Sequence, residues 1–277
     1  MAGTALPIEV LDRVVQFARH QELLTLSRVS RELQPIAEAK LYEEVIIREH
    51  MQAGKGCTAL SQQNYARAPY VRRFWLFQDP RLCQRGPWPE QFWRRIQAIL
   101  ERMTSLENLY IYDDTSANTW IFDRPMPFRL RDVCLHFHWD DRLVAFLETQ
   151  DQLRRLAVQT SIEDGGIINH RGPQLGSLPS LEVLEAPLHV AFDLIACKIQ
   201  KMAIVIDDES APLFATFVEV FAKTNKTIRS LNLVAIPEFL VADCLQVLGA
   251  STLATTLRHL GVLSLPLMDV RTLPLLT

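Results

Sequence analysis

His136 and His138 would share one face of a strand, because side chains alternate across a sheet, and Asp140 and Asp141 follow closely. That grouping could suggest a metal. Two imidazoles without a third ligand at a recognisable spacing do not make a zinc site, so an exposed or structural role is the better reading. The acidic clusters Asp113-Asp114, Asp140-Asp141 and Asp207-Asp208-Glu209 lack the ligand spacing of a calcium loop and read as helix caps and turns. Cys57, Cys83, Cys134, Cys197 and Cys244 are too widely scattered for a disulfide framework or a zinc cluster and read as reduced thiols. The sequence contains no GxSxG, no HExxH and no GxxxxGK[ST] phosphate loop. No catalytic residue, metal or cofactor is therefore assigned, and an enzyme is not expected.

Residue types that anchor protein interfaces, Trp, Tyr and Arg, gather elsewhere. Arg73, Trp75 and Phe77, then Asn108, Tyr110 and Tyr112, then Asp132, Cys134 and His136, and further on Arg155, recur at odd positions of one short pattern. If that pattern is a strand, these side chains lie on one face, opposite the apolar positions. The face is a candidate protein-binding surface. The competing reading is that the N-terminal segment or the stretch from Asp79 to Pro89 covers these aromatics.

The pattern is apolar-x-x-apolar-x-apolar. It occurs as VRRFWL from Val71, LENLYI from Leu106, LRDVCL from Leu130, LRRLAV from Leu153, LEVLEA from Leu181, IQKMAI from Ile199, IRSLNL from Ile228 and LRHLGV from Leu257. Successive starts lie 18 to 35 residues apart. Between them run helical stripes: Phe92, Ile96, Ile99, Leu100 and Met103; Leu143, Phe146 and Leu147; Phe214, Phe217, Val218 and Phe221; and Val241, Cys244, Leu245 and Leu248, with Gly249 placed to end the last. Alternating strand and helix predicts a mixed α/β chain with a parallel sheet. The pattern and its period resemble the strand signature of leucine-rich repeats, which implies an irregular solenoid with a curved parallel sheet over residues 71–277. The Asn or Cys that such repeats place three positions after the last strand leucine is missing throughout; Asp79, Asp114, His138, Ser161, His189, Asp207, Ile236 and Leu265 stand there. A doubly wound nucleotide-binding sheet would share the alternation but would want a glycine-rich turn after its first strand, and none is present. The apolar C-terminal end, without a polar capping helix, reads as a truncated product or as a sheet end covered by a partner or a second copy.

Ahead of the repeats, Pro7 suits a first helical position, and Val10, Leu11, Val14, Val15, Phe17 and Ala18 follow at helical spacing. Leu23, Leu24, Leu26 and Val29 form a second stripe, and Leu33, Ile36 and Ala37 a third. So short a segment cannot bury all of this internally, so part of it should face a partner. Leu6-Pro7, Glu9-Val10-Leu11, Leu23-Leu24, Val29-Ser30-Arg31, Ala37 and Leu41-Tyr42 resemble in order and spacing an F-box, as found in short fungal proteins. The chain departs from that pattern at Glu22, where Asp is more usual, and at Leu33, where an aromatic is common.

The resemblance implies a three-helix F-box over residues 4–48 and a connecting segment over 49–70, for which a helix is allowed. It implies binding to a Skp-type adaptor and, through it, to cullin and RING subunits, with a protein substrate on the repeat domain for ubiquitin transfer. By the same pattern Leu6, Pro7, Glu9, Val10, Val14, Leu23, Leu24, Val29, Ser30 and Arg31 are the adaptor-facing or adaptor-supporting set. The alternative is an F-box-like scaffold that takes no part in ubiquitination. Composition agrees with a folded chain: 277 residues, 48% of them hydrophobic. A formal charge of −3 gives no electrostatic case for nucleic acid or an anionic membrane as a partner. Without an apolar run long enough to span a bilayer, the chain is expected in the cytoplasm, the nucleus or both.

Overall fold

The first three helices arise from the three N-terminal stripes: α1 (Ile8–Phe17), α2 (His20–Val29) and α3 (Leu33–Leu41). They are seen in a computed structural model that describes residues 6–79, 81–82, 86–159, 172–174 and 176–265. Pro7 stands one residue outside α1 rather than in its first position. Its φ of −56° suits a helix, but its ψ of 145° keeps it extended, and its carbonyl accepts from the Val10 and Leu11 N–H groups. Two residues after α3 the chain enters β1 (Glu44–Ile47), then α4 (His50–Tyr65), β2 (Arg73–Leu76), α5 (Glu90–Leu100) and β3 (Asn108–Tyr112). Residues 49–70 are largely helical, although α4 leaves helical geometry at Gln62, and Gln63, Asn64 and Tyr65 all take positive φ.

The chain forms two compact units, one ending at Leu130 and the next beginning at Arg131. The second unit holds β4 (Asp132–His136), α6 (Asp141–Glu148), β5 (Arg155–Gln159), β6 (Val183–Pro187), α7 (Leu188–Asp193) and β7 (Lys201–Val205). It continues with α8 (Phe214–Thr224), β8 (Ser230–Pro237), α9 (Val241–Ala250), α10 (Leu253–Thr256) and β9 (His259–Leu265). The chain is thus mixed α/β, and every registered strand pair among the described residues is parallel. Helix α9 runs to Ala250, one residue past the glycine expected to stop it, because Gly249 keeps helical geometry and Ser251 turns extended.

Each of the eight recurring segments becomes a strand that starts at the third residue of its pattern. Register follows the pattern too: Glu44, Arg73 and Asn108 align in the first unit, and Asp132, Arg155, Val183, Lys201, Ser230 and His259 in the second. One backbone joint recurs with each alignment. The carbonyl of the second pattern residue accepts two consecutive N–H groups from the next segment. Glu43 O takes Arg72 and Arg73; Arg72 O takes Glu107 and Asn108; Arg131 O takes Arg154 and Arg155; Arg154 O takes Glu182 and Val183, all at 2.9–3.0 Å. The carbonyls of Glu182, Gln200 and Arg229 repeat it. That Glu43 takes part makes β1 a further member of the series, built on Tyr42-x-x-Val45-x-Ile47.

Side chains alternate as the pattern requires. Phe74, Leu76, Leu109, Ile111, Val133 and Leu135 are buried, whereas Trp75, Tyr110, Tyr112, Asp132, Cys134 and His136 are half-buried on the other face. In the first unit α5 buries Phe92, Trp93, Ile96, Ile99 and Leu100. In the second, α6 buries Leu143, Val144, Phe146 and Leu147, and α8 buries Phe214, Phe217, Val218 and Phe221. Leu245, expected on the covered stripe of α9, is exposed, while Cys244 and Leu248 are buried. Buried Asn225 ties two segments together. Its Nδ2 donates to Cys197 O at 2.9 Å, and its Oδ1 accepts from Thr227 N, Thr227 Oγ1 and Ile228 N at 2.9–3.1 Å. Among the described residues no helix is long and apolar enough to cross a membrane.

Candidate interaction surfaces

The N-terminal helices keep only a small interior. Val15, Leu23 and Ala37 are its buried centre, with Ala18, Leu26, Leu33, Ile36 and Leu41 packed partly against them. Leu11 is also buried. The remaining apolar side chains face outward: Leu6, Ile8 at 64%, Val10, Val14, Phe17 at 78%, Leu24 and Val29 at 63% exposure. These are seven of the fourteen exposed large apolar side chains among the described residues, from the first 29 positions of the chain. Between α1 and α2 runs an open groove of about 640 Å³, lined by Arg13, Val14, Phe17, Ala18, Glu22 and Leu26 among others.

Of the ten residues expected at this surface, Leu6, Pro7, Glu9, Val10, Val14, Leu24, Val29, Ser30 and Arg31 are exposed. Leu23 is not: it lies in the module's core, where α2 packs against α3, so it can only support a docking face. Ser30 has a local duty as well, its Oγ accepting from Leu33 N at 3.1 Å where the chain turns into α3. Ile8 and Phe17 are more exposed than most of the expected set and were outside it. The signal for Phe17 was already present in the stripe, since it lies three residues after Val14 and falls beside that residue on a helix. Glu22 accepts from the Arg19 N–H at 2.6 Å, closing the first turn of α2.

Arg67, two residues beyond α4, holds the N-terminal module to the rest of the first unit. Its Nη2 lies 3.0 Å from Glu38 Oε1 in a mostly covered ion pair, and its guanidinium stacks 5.1 Å above the Tyr42 ring centre. Glu43 is held below the ordinary carboxylate range, chiefly because Lys40 donates to it at 2.6 Å.

On the strands of the first unit, register brings Ile46, Trp75 and Tyr110 into one row and Glu44, Arg73 and Asn108 into the next. Trp75 and Tyr110 stack at 5.1 Å between ring centres, and Phe77 meets Tyr110 edge-on at 5.6 Å. The Trp75 indole N–H is buried and has no hydrogen-bond partner among the described residues. Arg73 lies 3.7 Å from exposed Glu44 and 3.9 Å from half-buried Glu43. Ile46 and Glu44 thus join this face, which sequence reading began at β2. In the second unit Asp132 and Arg155 align across β4 and β5. Burial raises the Asp132 carboxyl above its ordinary value, with Arg155 opposing. The matching row there is built of Cys134, Ala157, Glu185, Ala203, Asn232 and Gly261, small for the most part.

The acidic clusters serve turns and caps. Asp140 caps α6 by accepting from Leu143 N at 2.9 Å, Asp207 accepts from Ser210 N at 2.7 Å, and buried Asp113 accepts from Thr115 and Asn118. Desolvation pushes the thiols up, to about 11 for Cys57 and Cys197 and about 12 for Cys134, so they stay protonated and unreactive at neutral pH. Cys244 is raised for the same reason. Cys83, Ser161 and the apolar stretch after Leu265 lie outside the described residues. Among the described residues no three His, Cys, Asp or Glu side chains converge as metal ligands. Comparison with protein-family models and with curated proteins gave no significant match.

Proposed function

We propose that this chain is the substrate-recognition subunit of a Skp-cullin-F-box ubiquitin ligase. The N-terminal helices dock on a Skp-type adaptor, which brings cullin and RING subunits, and the strand face receives a protein substrate. The observation that supports this is the apolar surplus on and beside α1 and α2: a module with a three-residue buried centre carries seven exposed large apolar side chains, five of which, Leu6, Val10, Val14, Leu24 and Val29, belong to the set that the F-box resemblance implies. A set of that kind costs solubility unless a partner covers it. On this reading the chain makes and breaks no bonds. It holds substrate lysines near the charged conjugating enzyme, and the gain is one of effective concentration. Arg73, Trp75, Phe77, Asn108, Tyr110 and Tyr112 in the first unit, with the stacked Trp75–Tyr110 pair as the anchor, and, separately, Asp132, His136 and Arg155 in the second are its substrate-facing residues.

The test is co-purification with the Skp-type adaptor of the chain's own source, read by size exclusion with light scattering. A one-to-one complex is expected, and it should be lost in the double variant Leu6→Ala/Pro7→Ala while the rest of the chain stays folded. A folded chain that forms no complex overturns the proposal. A complex that never recruits cullin replaces it with the scaffold reading.

A further inference from the structure

A second apolar groove, of about 300 Å³, opens in the second unit where α8 and α9 begin. Phe214 and Cys244 form its buried floor, Pro212 and Ala215 one wall, and Phe239 and Val247 the other. Phe239 sits in the short 3₁₀ turn Glu238–Leu240 and is 64% exposed, the most open aromatic among the described residues of this unit.

The mouth is acidic. Asp208 and Asp243 line it, and neither side chain makes a hydrogen bond or ion pair with another described residue. Capping of the turn before α8 is already performed by Asp207, so Asp208 is left over. Asp243 lies in the first turn of α9, where the helix dipole favours a carboxylate but does not neutralise it. Both walls come from stretches without a counter-charge. Residues 202–222 and 230–257 contain Asp207, Asp208, Glu209, Glu219, Glu238 and Asp243 and no Lys or Arg, in a chain that has 29 of them.

We propose that this groove binds a basic peptide segment, placing an apolar side chain such as Leu or Phe beside Phe239 and a Lys or Arg on either side of it near Asp208 and Asp243. Apolar burial supplies the contact, and the carboxylates supply orientation and selectivity against acidic sequences. The inference stands apart from the adaptor reading, because it uses neither the N-terminal helices nor the aromatic row of the first unit.

The experiment pans a random linear dodecapeptide phage library against the immobilised full chain. Selected peptides are then measured by fluorescence anisotropy at low and high salt. Peptides with Lys or Arg flanking an apolar residue are expected, binding more weakly as salt rises. Phe239→Ser should weaken them about tenfold and Asp208→Asn/Asp243→Asn severalfold with loss of the salt dependence. Both variants change exposed side chains, and unchanged circular dichroism and thermal midpoint confirm that they fold. Enrichment of acidic or uncharged sequences, equal binding by Phe239→Ser, or no enrichment by a folded chain overturns the proposal. So does self-association that Phe239→Ser abolishes, which assigns the groove to a second copy.

Discussion

Helices α1 and α5 have 10 and 11 residues and similar apolar content, yet they treat their apolar residues in opposite ways. Helix α5 buries Phe92, Trp93, Ile96, Ile99 and Leu100; α1 buries only Leu11 and Val15 and leaves Ile8, Val10, Val14 and Phe17 in solvent. The difference lies in what each packs on. Helix α5 packs against α4 and the turn Thr119–Phe122, where Ile121 and Phe122 are buried, whereas α1 has only the small faces of two other short helices. The same amphipathic pattern can thus mean a core or an interface, and the number of neighbours available decides which.

Four substitutions break or sharpen this contrast. Trp93→Ala on α5 empties a fully buried site and should lower stability by about 3–5 kcal/mol in urea denaturation, by lost transfer energy and a cavity together. Asn225→Ala should cost about 2–3 kcal/mol in the same assay, because the Cys197 carbonyl and the N–H groups of Thr227 and Ile228 lose their shared partner. Arg67→Ala removes one half of a mostly covered ion pair and a ring contact, for about 1 kcal/mol, visible as faster hydrogen exchange in α3. Phe17→Ser on α1 should move stability by less than about 0.5 kcal/mol, since little is buried there. If α1 is an interface, it should nonetheless weaken adaptor binding about tenfold in titration calorimetry. A large stability loss for Phe17→Ser would erase the contrast with α5.

Much of the fold was legible. The eight strand segments and the stripes of α5, α6, α8 and α9 come from period alone, because a strand buries every second residue and a helix every third or fourth. Strand β1 was not read as a member of the series. Its first pattern position holds Tyr42 rather than Val, Leu or Ile, and the kinship is carried by the Glu43 carbonyl, a backbone group that composition does not reveal. Buried Leu23 was grouped with its exposed neighbour Leu24, since adjacent leucines look alike until packing on Ala37 separates them. The acidic groove at Phe239 was not legible at all. It depends on two stretches some thirty residues apart meeting in space, and on the absence of basic residues from both.

Only Tyr42 and Glu43 separate α3 from β1. The module passes directly into β1, which is hydrogen-bonded in register to β2, so no tether separates the N-terminal helices from the Trp75–Tyr110 row. If the proposed function holds, such a joint works as a bracket rather than a leash: cargo on the row would be presented to the docked assembly at one set reach and angle, and lysines out of that line of fire would be spared.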